Sequence, residues 1–367
     1  ALLLGRQGAL PRGPLLAVLR GCGDEHERRV GASRFAAREG YRPGGLVLSE
    51  AQREAYFREG YLVLRGLLPA GTVEALHDEL FHAYSLPFVS NGWMESDAVL
   101  DFVTFGPFGG LAAQLLGGEP VHLLRTVHHF RDEATRRIAG WHYDEGEVED
   151  GFPPARDPRS LVKFYAALSD EVPAFWFVNQ SSLEARLLQV SNESVLASFR
   201  AGRLPPPRDV CTGRPCYSWV PELSHAHMDQ VSLKPTLRRG DVIAHACTLV
   251  HRSAPGNGGG VTGWLAAAYA PPGASFVGHV NSDERQCDFG IDYLDFYTKL
   301  FTGQAVERPR IADAPRPECF PRVHPPPDVF ANGRGPILRV SVRKMVPWDG
   351  EKLRNPVLRY WYHILQR

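Results

Sequence analysis

The sequence predicts a mainly β fold with flanking helices, of sandwich or jelly-roll type. Short apolar runs recur from about residue 120 onward (VHLLRTVHHF, SLVKFYAAL, FWFVN, DVIAHACTLVH and GWLAAAYA), separated by Gly, Pro and polar turns. Glycine (36) and proline (30) are abundant, which favours strands and loops over a helical bundle. No repeat recurs at periods of about 20–50 residues, so a solenoid or propeller is not expected.

Two helices precede these strands. Ser49 through Arg58 reads as a short helix in which Ser49 caps the first amides and Gln52, three residues on, completes a capping box. Gly60 stops it, and Tyr61-Leu62-Val63-Leu64 follows as a strand. Pro69 to Tyr84 reads as an amphipathic helix, with Val73, Leu76, Leu80 and Phe81 at helical spacing.

The 367 residues carry 41 basic and 41 acidic side chains, so no net field draws the chain to nucleic acid or an anionic surface. Basic residues are scattered and no aromatic-interleaved basic strand appears, so nucleic-acid binding is not expected. No apolar run approaches the 18 or more residues of a membrane span, which predicts no transmembrane segment. GNGGG at 256–260 opens no helix and lacks the Lys-Ser/Thr of a phosphate loop; a rim over the functional site suits it better. The six cysteines, with no CxxC pair, read as free thiols.

The ends differ from the middle. Residues 1–45 form a basic, targeting-like arm: the first 23 carry Arg6, Arg12 and Arg20 and no acid, the composition of a mitochondrial or plastid leader. The chain opens on Ala1, not Met, which suggests a start removed by processing or truncation. Residues 271–367 read as a Pro-rich, basic arm, with ten prolines between 301 and 367, which becomes ordered by lying on this domain or on a neighbour.

Trp141-His142-Tyr143-Asp144 carries the chemistry. On a strand, His142 and Asp144 project from one face and can reach a single ion. His251, after the Gly240-Asp241 turn and the strand VIAHACTLV, is the best third ligand. Two imidazoles and a carboxylate form the facial triad of non-haem Fe(II) oxygenases. The pair His142 and Asp144 could equally be a surface pair, with His251 a loop histidine. His128, His129, His225, His227 and His245 are further imidazoles that could add metal sites or be structural.

Residues 46–270 resemble the phytanoyl-CoA dioxygenase family of Fe(II)/2-oxoglutarate oxygenases. LSEAQREAYFREGYLVLRGLLP looks like that family's opening helix and strand, WHYD like its first metal motif, and GDVIAHACTLVHRSAPGNGG like its distal-histidine motif. The resemblance implies a double-stranded β-helix (cupin-like) core, with His142, Asp144 and His251 as iron ligands. It departs where the family carries an arginine for the far carboxylate of 2-oxoglutarate, on the strand after the distal histidine. Here that place is Val261-Thr262-Gly263, with no Arg or Lys before Arg285. A buried carboxylate without a cation is costly. Lys163, on the strand after the first motif, could offer the cation from another wall, as in some relatives of the wider superfamily; Arg125, Arg131 and Ser253 are further candidates, and each could instead be solvated.

Two functions follow. One is an accessory subunit of a mitochondrial assembly, most plausibly respiratory complex I, on the matrix side, with an eroded 2-oxoglutarate site, vestigial iron and both arms packed on other subunits. The other is an active mitochondrial Fe(II)/2-oxoglutarate-dependent hydroxylase of a small molecule or an acyl-CoA.

Overall fold

The structure, a computed structural model, describes residues 46–83, 88–90, 92–94, 96–118, 120–131, 141–143, 159–170, 172–173, 176–187, 201, 222–252, 262–274, 279–280, 289–290, 310–313 and 320–324. The arm at 1–45 and the glycine-rich stretch at 256–260 lie outside them, as does most of 271–367.

Helix α1 (Glu50–Glu59) forms where the capping box predicts it: Ser49 accepts from the Gln52 amide at 3.2 Å, and the Gln52 side chain returns to the Ser49 amide at 2.9 Å. Gly60 ends it at φ +82, where a Cβ would meet the Gln180 side chain at 2.5 Å. Strand β1 (Tyr61–Leu64) follows at once, and α2 (Ala70–Ala83) then buries Val73, Leu76 and Leu80. After β2 (Phe88–Ser90) come α3 (Asp97–Phe105) and α4 (Pro107–Leu116), neither of which the sequence patterning singles out.

The 19 residues Ala98–Leu116 are apolar enough, by length and composition, to cross a membrane, yet 72% of that window is buried inside the protein. Gly106 leaves the helical conformation and Pro107 starts a new helix there, so the stretch is two core helices.

The strands build one large antiparallel sheet in the order β1, β8 (Val242–Ala246), β4 (Val162–Ala167), β10 (Thr262–Ala270), β3 (Val121–Arg131) and β13 (Arg322–His324), with β2 also on β3. The remaining short strands are β5 (Val172–Pro173), β6 (Trp176–Phe177), β7 (Thr236–Leu237), β9 (His251–Arg252), β11 (His279–Val280) and β12 (Phe289–Gly290). They pair as β5–β7, β6–β9 and β11–β12. Helix α5 (Glu222–Val231) lies between β6 and β7 in the chain. A long sheet with helices on one side and short pairs on the other is the double-stranded β-helix expected from the sequence. Residues 320–324 join it from the C-terminal stretch: Phe320 and Val323 are buried, and the Leu123 amide donates to the Pro321 carbonyl at 3.0 Å.

Register decides what each face of the large sheet carries, because partners across an antiparallel ladder share a face. On the helix side lie Leu62, Ala244, Phe164, Leu265 and Tyr269; Phe108 of α4 stacks on Phe164 at 4.7 Å and 8°, in one core with Phe102 and Leu111. On the other side, facing β6 and β9, lie Tyr61, Ile243, His245, Lys163, Tyr165, Ala167 and Trp264.

Candidate metal centre

The short strands bring the two predicted histidine ligands together. His142 and His251 face each other in an antiparallel bridge, exchanging two backbone hydrogen bonds of 2.8 and 2.9 Å. Their side chains therefore share a face, and their ring centroids lie 4.3 Å apart. The bridge extends to Phe177, paired with His251, so His142, His251 and Phe177 form a row that looks into the space between the sheets.

His251 is buried, and its Nδ1 lies 2.9 Å from the Leu249 carbonyl. A carbonyl only accepts, so Nδ1 carries the proton and Nε2 keeps its lone pair, the arrangement a ligating imidazole needs. Asp144 and Ser253 lie outside the described residues, so the third ligand and that candidate co-substrate contact have no place in this geometry. Among the described residues no group of three or more His, Cys, Asp or Glu could hold a metal ion. The donor set suits the expected Fe(II): two imidazoles on one face, one with its tautomer fixed, and an acid two residues beyond the other.

The opposite wall supplies charge. Tyr61, His245, Lys163, Ala268 and Arg125 stand in register across β1, β8, β4, β10 and β3, forming one row on the inward face. His245 is fully buried, with Nδ1 at 3.1 Å from the Ala246 carbonyl and its ring 5.2 Å from that of His251. Lys163, next to it in the ladder, is only 7% exposed, so it is an interior cation on a central strand and not a solvated side chain at an edge. Burial, and then the Glu59 carboxylate, push the Tyr61 phenol up, so it stays protonated at neutral pH.

The arginines are placed less favourably. Arg125 is half-buried on the same row but three strands from His245. Arg131, six residues further along β3 or about 20 Å, pairs with Thr262 of β10 at the far end of the ladder. The two cannot serve one carboxylate together.

Behind the histidines lies a second network. Trp141 and Arg252, their chain neighbours, point to the outer face of the short strands. Both donate to the same Asp229 oxygen of α5, Trp141 Nε1 at 3.0 Å and Arg252 Nη1 at 2.6 Å.

Neither a family model nor a curated protein matches the chain. Among solved structures it is similar to the non-haem α-ketoglutarate-dependent epimerase SnoN from nogalamycin biosynthesis, at 18% identity and TM-score 0.47, covering 75% of this chain and 98% of that one. HygX from Streptomyces hygroscopicus, with nickel and 2-oxoglutarate bound, is similar at 18% identity and TM-score 0.41 over 61% of this chain and 87% of that one. EctD from S. alaskensis, with 2-oxoglutarate and 5-hydroxyectoine, gives 17% identity and TM-score 0.45 over 61% and 77%. At such identities the likeness is one of fold.

Two residues enter the site from outside the predicted set as its immediate surroundings. His245 is named in the sequence only as a spare imidazole; its place two residues after Ile243 on one buried strand is the signal that could have put it on the inward face. Asp229 has no such signal, because a helix-to-strand contact 88 residues from Trp141 leaves no local pattern.

Proposed function

We propose that this chain is an Fe(II)/2-oxoglutarate-dependent oxygenase in which His142, Asp144 and His251 hold the metal and Lys163 receives the far carboxylate of 2-oxoglutarate. The observation that carries the reading is the His142–His251 pair facing a buried lysine across the inter-sheet space. Bound there, iron with 2-oxoglutarate would activate dioxygen, one oxygen atom going into an unactivated C–H bond and the other into the succinate left when the co-substrate loses carbon dioxide.

The chain's own residues prepare that chemistry. The Leu249 carbonyl holds the His251 proton on Nδ1 and so aims Nε2 inward. Lys163 offers a cation where a carboxylate would otherwise enter unpaired, and the Tyr61 hydroxyl and the His245 ring add polar groups to the same row. Phe177, Trp264 and Ile243 pack between the sheets and exclude water from it.

Anaerobic titration of the protein with Fe(II), then 2-oxoglutarate, tests this through the metal-to-ligand charge-transfer band. The expected result is a band in the wild type and an apparent 2-oxoglutarate affinity at least about 30-fold weaker in Lys163→Met, from about 2 kcal/mol or more for an unpaired buried charge. Iron binding with no band would overturn the co-substrate assignment and favour a scaffold role, such as the accessory mitochondrial subunit that the chain's terminal composition suggests.

A further inference from the structure

We infer that Asp229 is a positioning residue for the metal centre: its carboxylate clamps the chain neighbours of His142 and His251 and so holds the two imidazoles at one spacing. The inference rests on the metal reading above.

Parity sets up the clamp. His142 and His251 are opposite partners in the antiparallel bridge, so Trp141 and Arg252 are opposite each other on the reverse face. The same oxygen, Oδ1 of Asp229, accepts from Trp141 Nε1 at 3.0 Å and from Arg252 Nη1 at 2.6 Å. The Arg252 guanidinium also lies over the Trp141 ring at 6.0 Å and the Trp176 ring at 5.4 Å, so the contact is partly shielded, with the Arg252 side chain 18% and the Asp229 side chain 37% exposed. A charge-assisted contact with one shielded partner is stronger and more directional than a pair exposed on both sides.

β6 and β9 have two residues each, and the described part of the Trp141 segment adds a single bridge. Among the described residues these segments are joined by a few backbone bonds, His142 with His251, Phe177 with Leu233 and Val178 to Val250, so a side-chain tie across the reverse face adds to what resists sliding or splaying. Asp229 comes from a separate element, α5, whose Met228 is buried in one cluster with Trp141, Tyr143, Val178 and Val250. The helix therefore presents a fixed anchor to both strands. Moving either histidine away from the other requires breaking a bond to Asp229 or dragging the helix.

Two metal-independent and metal-dependent readouts test this on the full chain. In the metal-free protein with labelled histidines, the nuclear Overhauser contact between the rings of His142 and His251 reports their spacing directly. Dissociation constants for Co(II), followed by its electronic absorption, report whether the spacing matters. Asp229→Ala removes the acceptor; Asp229→Asn keeps an oxygen for both donors; Trp141→Phe removes one donor while keeping a ring, and serves if Asp229→Ala does not fold.

The expected result is a weakened ring-to-ring contact and Co(II) binding weaker by about tenfold or more in Asp229→Ala, with Asp229→Asn close to wild type and melting temperature little changed between the two. A merely stabilising contact would lower the melting temperature and leave the ring contact and Co(II) affinity as they were, and that outcome overturns the inference alone. Wild-type protein that binds no Co(II) overturns the metal reading itself and this inference with it.

Discussion

Replacing Asp241 by alanine should cost about 2–3 kcal/mol of stability at neutral pH. Its carboxylate is buried and accepts three hydrogen bonds: from the Gly66 amide at 2.7 Å, the Arg238 amide at 2.9 Å and Arg65 Nη1 at 2.7 Å. These join the corner after β1, the turn before β8 and a side chain that also reaches the Thr236 carbonyl at 2.8 Å. Truncation takes the acceptor from two amides on exposed turns, which water reaches in part, at about 1 kcal/mol each, and removes a charge-assisted bond to the exposed Arg65. Asp241→Asn, with one oxygen left, should fall between the two. Urea denaturation measures the loss as a lower midpoint at unchanged slope.

The pH dependence follows from the same geometry. Burial pushes the Asp241 carboxyl up, but the Arg238 and Gly66 amides and the Arg65 guanidinium outweigh it and hold the group below its usual value of 3.8. A depressed carboxyl contributes stability that is present above the unfolded value and lost as pH falls through the folded one. The gap between wild type and Asp241→Ala should therefore hold from pH 5 to 8 and shrink below about pH 4. A loss under about 1 kcal/mol for Asp241→Ala at pH 7 would refute the reasoning, since it would mean the three bonds are replaced by water without cost.

His128, on the helix side of β3, is buried, and desolvation lowers its pKa from 6.5 to about 4. The unfolded chain then takes the proton first, so stability should fall by about 3 kcal/mol as pH drops from 6.5 to 4, and His128→Leu should flatten that part of the stability–pH curve; equal slopes would remove His128 from the account. Phe164→Ala should cost about 3–5 kcal/mol by calorimetry, because the ring is fully buried between the Phe108 stack at 4.7 Å and Tyr269 at 5.8 Å. A change near 1 kcal/mol would mean that α4 collapses into the gap.

What was legible in the sequence was local. The Ser49–Gln52 capping box and the Gly60 stop place α1 and β1 to within a residue, since both depend on side chains three or four positions apart. His142 and His251 were readable as ligand types, and the fold brings them together. Helix α4 has little polar face to mark it, because Phe108, Leu111, Ala112, Ala113, Leu115 and Leu116 are all buried, whereas α3 keeps Val99, Phe102 and Val103 at helical spacing but over only nine residues. The buried run of β4 hides its two faces in the same way, so the inward direction of Lys163 emerges only from its register with His245 and Ala268. The strand Arg322–His324 pairs with Val121 and His122 across some 200 residues, beyond the reach of any pattern in a proline-rich stretch.

The two walls of the site are unequal in strength. One is a sheet whose strands run to 11 residues and whose back is filled by α3 and α4; the other rests on two-residue strands and a helix surface. Local opening costs less where the ladder is short, so amide exchange should be slowest in β4, β8 and β10 and faster around Phe177 and His251. The two walls are thus an anvil and a jaw: Lys163 sits on the anvil and the two histidines on the jaw, so the proposed site would open by moving the jaw and leave the core that keeps the chain folded undisturbed.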